Sequence, residues 1–128
     1  MPSTQRKPVY IVDDSPLIRE RLAHMLDRLD DVELVGQAAN AREAIAGIRR
    51  TQPRAVVLDL NLMGHSGFDV LRAIHPERPD IVFVVLTNHA EPQYERACLA
   101  QGASYFLDKS TQFERVPEVL RQIAGQQH

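Results

Sequence analysis

Ile81-Val82-Phe83-Val84-Val85-Leu86, residues 81–86, is an unbroken apolar run dominated by β-branched side chains, closed by Thr87. A strand with one wet face alternates apolar and polar residues, whereas a strand covered on both faces does not. Val9-Tyr10-Ile11-Val12 and Ala55-Val56-Val57-Leu58 read in the same way. Glu33–Ala38 and the partly aromatic Ser104–Leu107 complete a set of five strands.

The segments between them carry helical spacing and recognisable starts. Ser15-Pro16 places an N-cap before a proline at the first helical position, ahead of Leu17, Ile18, Leu22, Met25, Leu26 and Leu29. Asn40-Ala41-Arg42-Glu43 has the layout of a capping box before Ala44, Ile45 and Ile48, and Ser66-Gly67-Phe68-Asp69 offers another before Val70, Leu71 and Ile74. Pro92 opens a fourth helix and Gly102 ends it. A fifth carries Val116, Leu120, Ile123 and Ala124. Pro117 lacks an N–H and belongs in a first turn, so regular helix is expected from near Pro117, with Thr111–Val116 in a turn or short 3₁₀ stretch. Strand–helix alternation with short connections predicts a parallel sheet with helices on both faces.

At 128 residues, with 44% hydrophobic and 25% charged residues, the chain has the size and balance of one globular domain. No repeat, linker or low-complexity segment divides it. The expectation is a single unit over 1–128, core about 8–125, with no output domain. Net charge is −2 with Lys and Arg scattered, which is no footprint for nucleic acid. No apolar run approaches a membrane span and the first residues do not resemble a signal peptide, so the default location is cytoplasmic. Cys98, the one cysteine, excludes an internal disulfide framework and falls in an apolar helical pattern with Tyr94 and Ala97, which marks it as core.

Ligands of open α/β sheets bind beyond the carboxyl ends of the strands. Here those ends are Asp13-Asp14, Asp59, Thr87 and Asp108-Lys109. Three clustered carboxylates, Asp13, Asp14 and Asp59, repel one another, so without a cation at least one holds its proton more tightly. A hard divalent ion relieves that repulsion, and Mg²⁺ suits it because it binds through a few carboxylates and shares phosphate oxygens. An aspartate can also be the nucleophile of an acyl phosphate, with Lys109 and Thr87 neutralising the phosphoryl oxygens. Taken singly, each residue has an ordinary explanation as a cap or surface charge. Their joint appearance at the ends of four strands carries the signal.

Four segments resemble the receiver domains of two-component response regulators: Val9–Pro16, Val56–Gly67, Val85–Asn88 and Gly102–Ser110. The resemblance covers the chain from Val9 to about Ala124. It implies a flavodoxin-like three-layer α/β/α sandwich with five helices and strand order 2-1-3-4-5. It makes Asp59 the phosphoacceptor, with Asp14 and Asp59 binding Mg²⁺ directly, Asp13 through water, and the Asn61 backbone carbonyl as a further ligand. Lys109 would pair with the phosphoryl group, and Thr87 and Phe106 would be the switch residues. The implied donor is a sensor histidine kinase or histidine phosphotransfer protein. The domain would catalyse only its own phosphorylation and dephosphorylation. The fourth helix, fifth strand and fifth helix would be the output face, with mixed charges (Glu91, Glu95, Arg96, Asp108, Glu114, Arg115, Glu118, Arg121) able to pair with a second copy or remain solvated.

Several positions depart from the family pattern. Met63 and Ser110 stand where proline is common, so a less rigid loop is expected after Asp59, and the sequence leaves cis or trans open at Lys109–Ser110, since cis bonds are overwhelmingly a proline feature. Asn88 is larger than usual and narrows access. Phe106 lacks the hydroxyl of the common tyrosine, and Tyr105 is expected on the opposite face. His89 and Asn61 flank the expected phosphoryl position as modulators of dephosphorylation. His65 shows no zinc spacing with the other histidines, and His24, His75 and His128 read as surface. Two other functions stand beside the phosphorylatable receiver: an adaptor that works only through its surface, or isolated receiver of a DNA-binding regulator; and a Mg²⁺-dependent hydrolase, disfavoured by the short connections.

Overall fold

The computed structural model describes residues 6–62 and 65–126, with the backbone alone at His65. The expectations for Met63 and His128, and for the side chain of His65, fall outside what is described. β1 (Lys7–Val12), β2 (Val32–Ala38), β3 (Ala55–Leu58), β4 (Val82–Thr87) and β5 (Tyr105–Asp108) form one parallel sheet in the order β2-β1-β3-β4-β5. Counted along the main sheet this is the expected 2-1-3-4-5 order. A separate antiparallel ribbon, Asn61–Leu62 against His65–Ser66, leaves the end of β3.

Every apolar strand is explained by its two coats. Tyr10, Val12, Val56, Leu58, Phe83 and Val85 face a core completed by α2 (Ala41–Thr51), α3 (Gly67–Ile74) and α4 (Pro92–Ala100), through Ala44, Ile48, Val70, Leu71, Ile74 and Cys98. The intervening Val9, Ile11, Val57, Val84 and Leu86 face α1 (Pro16–Asp27) and α5 (Val116–Ala124) through Leu22, Leu26, Val119, Leu120 and Ile123. Successive strand side chains point to opposite faces, so both must be apolar when both are covered. Phe106 and Tyr105 obey the same rule and pack on opposite cores, as expected.

Helix starts follow the caps. Ser15 Oγ accepts from the Ile18 N–H at 3.2 Å and Asn40 Oδ1 from the Glu43 N–H at 2.9 Å. Ser66 caps one residue earlier than a capping box would, accepting from the Phe68 N–H at 3.1 Å, and Asp69 instead pairs with Arg72. α4 ends in a Schellman turn: Gly102, at φ +112°, donates to the Leu99 carbonyl, and Ala103 to that of Cys98.

The structure revises further expectations. β4 and β5 each begin and end one residue later than their apolar runs, because Thr87 still pairs with Asp108 across the sheet. Helical backbone resumes at Lys109–Gln112, capped by Asp108, then tightens to 3₁₀ over Phe113–Arg115 before α5 begins at Val116. The Asp108 carboxylate, accepting from the Ser110 N–H at 2.9 Å, nucleates that early turn. Leu17, read with the apolar stripe of α1, is 71% exposed, since it lies in the first turn beyond the edge of the core. His75 is half-buried rather than surface: its ring packs over Gly102, and its buried Nδ1 has no hydrogen-bond partner among the described residues.

Candidate functional site

β1 and β3 are neighbours, and each is followed at once by an aspartate, Asp13 and Asp59. The Asp59 N–H donates to the Val12 carbonyl at 2.9 Å and the Asp13 N–H to that of Ala38 at 3.1 Å, so the sheet ladder itself sets both residues side by side. Asp13 and Asp59 are buried, and Asp14 is half-buried. Carboxylate oxygens of all three lie within 4.8 Å of one another, a donor set that could hold a metal ion.

Lys109, just past β5, crosses to this cluster. Its Nζ donates to Asp13 Oδ2 at 2.7 Å and to Asp59 Oδ2 at 3.1 Å, with the lysine side chain only 10% exposed. The other oxygens also have donors: Asp13 Oδ1 accepts from the Ser15 N–H at 2.9 Å, and Asp59 Oδ1 from the Asn61 N–H at 3.3 Å. Burial pushes the Asp59 carboxyl above its usual range and outweighs the opposing pull of Lys109, with Asp13 adding to the rise. Of the cluster, Asp59 is the carboxyl that holds its proton more tightly than usual, and desolvation more than repulsion is the cause. Lys109 is held above its ordinary value: burial works against its charge, but the hydrogen bond to Asp13 and the fields of Asp59 and Asp13 prevail.

A cleft of about 290 Å³ opens over these groups, lined by Asp14, Ser15, Ile18, Asp59, Asn61, Asn88, His89 and Lys109. Asn61, Asn88 and His89 are exposed on its wall, so Asn88 borders the opening without closing it. His89 and Asn61 also line an adjoining hollow with Leu60, Ser66, Phe68 and Tyr94, and the His89 and Tyr94 rings lie 5.9 Å apart. Tyr94, expected with the core pattern of α4, is exposed.

Thr87 is fully buried, and its Oγ1 accepts from the His89 N–H at 3.1 Å. Among the described residues no hydrogen bond joins it to Asp59 or Lys109. Phe106 is half-buried against the core that contains Tyr10, Phe83 and Cys98. Cys98 is buried, as expected, and its thiol is pushed up to about 11 by burial first and by Glu95 second.

Two contributors escaped the sequence reading. Gly67 brings its backbone against the Asp59 carbonyl and 2.9 Å from Leu60 Cα where a Cβ would sit, and its N–H donates to the Leu60 carbonyl at 2.8 Å. Any side chain there would displace the segment that carries Asp59. The Ser66-Gly67 pair was visible only as a helix start. The other is Arg19, which donates from Nη1 to the Asp13 carbonyl at 2.7 Å. It reads in sequence as one more solvated charge on α1. Among the described residues no helix is long and apolar enough to cross a membrane.

Comparison with known proteins agrees with this arrangement. Residues 9–121 match the response regulator receiver domain. The chain is 35% identical over 116 residues to the transcriptional regulatory protein BtsR of Salmonella typhi, covering 90% of this chain and 47% of that protein. It is 30% identical over 121 residues to the response regulator GacA of Pseudomonas protegens, covering 94% and 57%. The chain thus spans about half the length of these curated relatives. The signal receiver domain of the putative response regulator NarL from Mycobacterium tuberculosis superposes with a TM-score of 0.84 at 31% identity, over 95% of this chain and 99% of that one. The response regulator domain of Thermotoga maritima CheB does so at 0.85 and 24% identity, over 97% and 100%, which speaks for the fold alone. With the acidic cluster and Lys109 at the carboxyl edge of a 2-1-3-4-5 sheet, the chain belongs to the response regulator receiver domain family.

Proposed function

We propose that this receiver takes a phosphoryl group onto Asp59 from a phosphohistidine donor, a sensor kinase or histidine phosphotransfer protein, and signals the change through Thr87 and Phe106. The observation that carries this reading is Lys109 Nζ shared between two buried carboxylates beneath an open cleft. A lysine so placed is a ready counter-charge for a group that arrives on Asp59.

In the transfer, an Asp59 carboxylate oxygen attacks phosphorus and the P–N bond to the donor imidazole breaks. Its electron pair stays on the departing nitrogen. Lys109 leaves its carboxylate partners in part and pairs with a phosphoryl oxygen. The Asp13, Asp14 and Asp59 carboxylates suit Mg²⁺, a hard cation that favours oxygen donors, and the Asn61 backbone carbonyl would be a further ligand. Bound there, it neutralises charge on the phosphoryl oxygens. Thr87 must turn its hydroxyl from the His89 N–H toward the new group, vacating space that Phe106 can fill. The phosphoryl group shifts this two-state equilibrium only through its differential contacts with Thr87 and Lys109. Asn61 and His89 line the cleft wall, and on this reading they would govern access of hydrolytic water.

On this reading the domain catalyses only its own phosphorylation and dephosphorylation and works in the cytoplasm beside its kinase. Partnership with a second copy through α4, β5 and α5 belongs to the same proposal. So does a role within a longer transcriptional regulator, supported by the kinds of relative it resembles. The test is intact mass after incubation with acetyl phosphate and Mg²⁺. One added phosphoryl group is expected, dependent on Mg²⁺ and missing in Asp59→Asn. No adduct in the native chain would leave a surface adaptor as the better account, and repeated turnover of an external phosphate ester would make the chain a hydrolase.

A further inference from the structure

Arg19 closes the first turn of α1, and its guanidinium joins three elements. Nη1 donates to the main-chain carbonyl of Asp13 at 2.7 Å, and Nε donates to Gln37 Oε1 on β2 at 3.1 Å. The Asp13 backbone is therefore held from both sides, its N–H by the Ala38 carbonyl and its C=O by Arg19. That carbonyl belongs to the peptide plane between Asp13 and Asp14. Fixing the plane narrows the directions in which the two side chains leave the backbone.

We infer that Arg19 is a positioning residue, clamping the Asp13–Asp14 peptide so that both carboxylates are aimed at one cation before it arrives. This rests on the reading of the acidic cluster as a Mg²⁺ site. Two effects of the guanidinium oppose each other. Its positive charge beside the cluster disfavours a second cation. Its planar fork, set between two acceptors, favours one by holding the donors in place. Groups that orient metal donors commonly matter tenfold or more in affinity. Arg19 is only half-buried and its bond to Gln37 is exposed, so solvent screens its charge and orientation is the larger effect. Lysine keeps the charge and loses the fork, which separates the two.

Mg²⁺ binding is measured by calorimetry on the native chain, Arg19→Lys, Arg19→Gln and Gln37→Leu, with thermal unfolding of each in EDTA. Arg19→Lys is expected to bind Mg²⁺ roughly tenfold more weakly than the native chain. Gln37→Leu, which frees one side of the clamp and leaves the charge, should move the same way by less. Arg19→Gln should bind no more weakly than Arg19→Lys, since loss of the charge offsets part of the loss of the fork. Native affinity in Arg19→Lys, with tighter binding in Arg19→Gln, would show charge acting alone and overturn the inference. If Arg19→Lys does not fold, Gln37→Leu decides: weakened binding supports the clamp and native binding overturns it. A native chain that binds no Mg²⁺ would overturn the Mg²⁺ reading of the site, and the inference with it.

Discussion

Asp59 is the residue whose environment and task are most closely tied. In the absence of Mg²⁺, burial raises its carboxyl above the ordinary 3.8. Between 3.8 and that raised value the native state holds more protons than the unfolded chain. Stability therefore falls as pH rises through the window, and the cost of the buried charge is fully present above it. Asp59→Asn carries no such charge. In EDTA it should resist urea better than the native chain at pH 7, with the gap closing as pH is lowered towards 4. A gap that stays constant across that range would remove burial of the charge as its source. Residue types at this scale were legible: Asp13, Asp14, Asp59 and Lys109 do meet. Which of their atoms meet was not. Lys109 lies 96 positions from Asp13 and 50 from Asp59, so nothing local in the chain says that its amine bridges the two. Arg19 was equally hidden, because an arginine on a helix looks the same whether it is solvated or folded back on a carbonyl.

Elements are governed by local rules where caps act and by packing where they do not. Ser15 and Asn40 cap the helices that the sequence assigns to them. α4 is different: Cys98 is its one buried residue, and Leu99 and Tyr94 are exposed. Its hold on the body lies at its C-terminal end, where Gly102 sits under the His75 ring and Arg72 donates to Gln101 Oε1 at 3.3 Å. Gly102→Ala meets both a left-handed φ and a Cβ position 2.5 Å from His75 Cγ. Such backbone strain costs about 1–3 kcal/mol. Urea unfolding should show a loss in that range, only partly recovered by adding His75→Ala, since the strain at φ +112° remains. Full recovery would assign the cost to the ring alone. The glycine was legible as a helix end. The histidine over it was not, because proline-flanked His75 carries no apolar pattern of its own.

Across the whole molecule, two cores on opposite faces of one sheet must be filled at once. Tyr10, near the centre of β1, shows how. Its ring enters the core under α2, and both Gly36 on β2 and Gly47 on α2 lack the Cβ that would strike it. A shift of register between Val9 and Tyr10 sets Gly36 opposite the ring. At Gly47 two effects compete: alanine gains about 1 kcal/mol of helix propensity, while overpacking against a fixed ring costs about 1–3 kcal/mol. Gly47→Ala should therefore destabilise the native chain. In a Tyr10→Leu background it should turn neutral or stabilising, with a coupling of about 0.5–3 kcal/mol in the double-mutant cycle. Additive effects would mean that the ring moves aside without cost.

Strand runs, caps, breakers and the acids at strand ends are properties of neighbours in the chain. From them the sequence by itself determined a parallel α/β sheet, its helix starts, and the residues gathered at one edge. The tertiary structure alone decided the donor that each carboxylate oxygen accepts, the orientation of the Thr87 hydroxyl toward the His89 N–H, the burial of His75 and the exposure of Leu17. The physical reason is range. Periodicity and capping act over a few residues, whereas a hydrogen bond or a van der Waals contact between elements depends on how distant segments are brought within a few ångströms of each other.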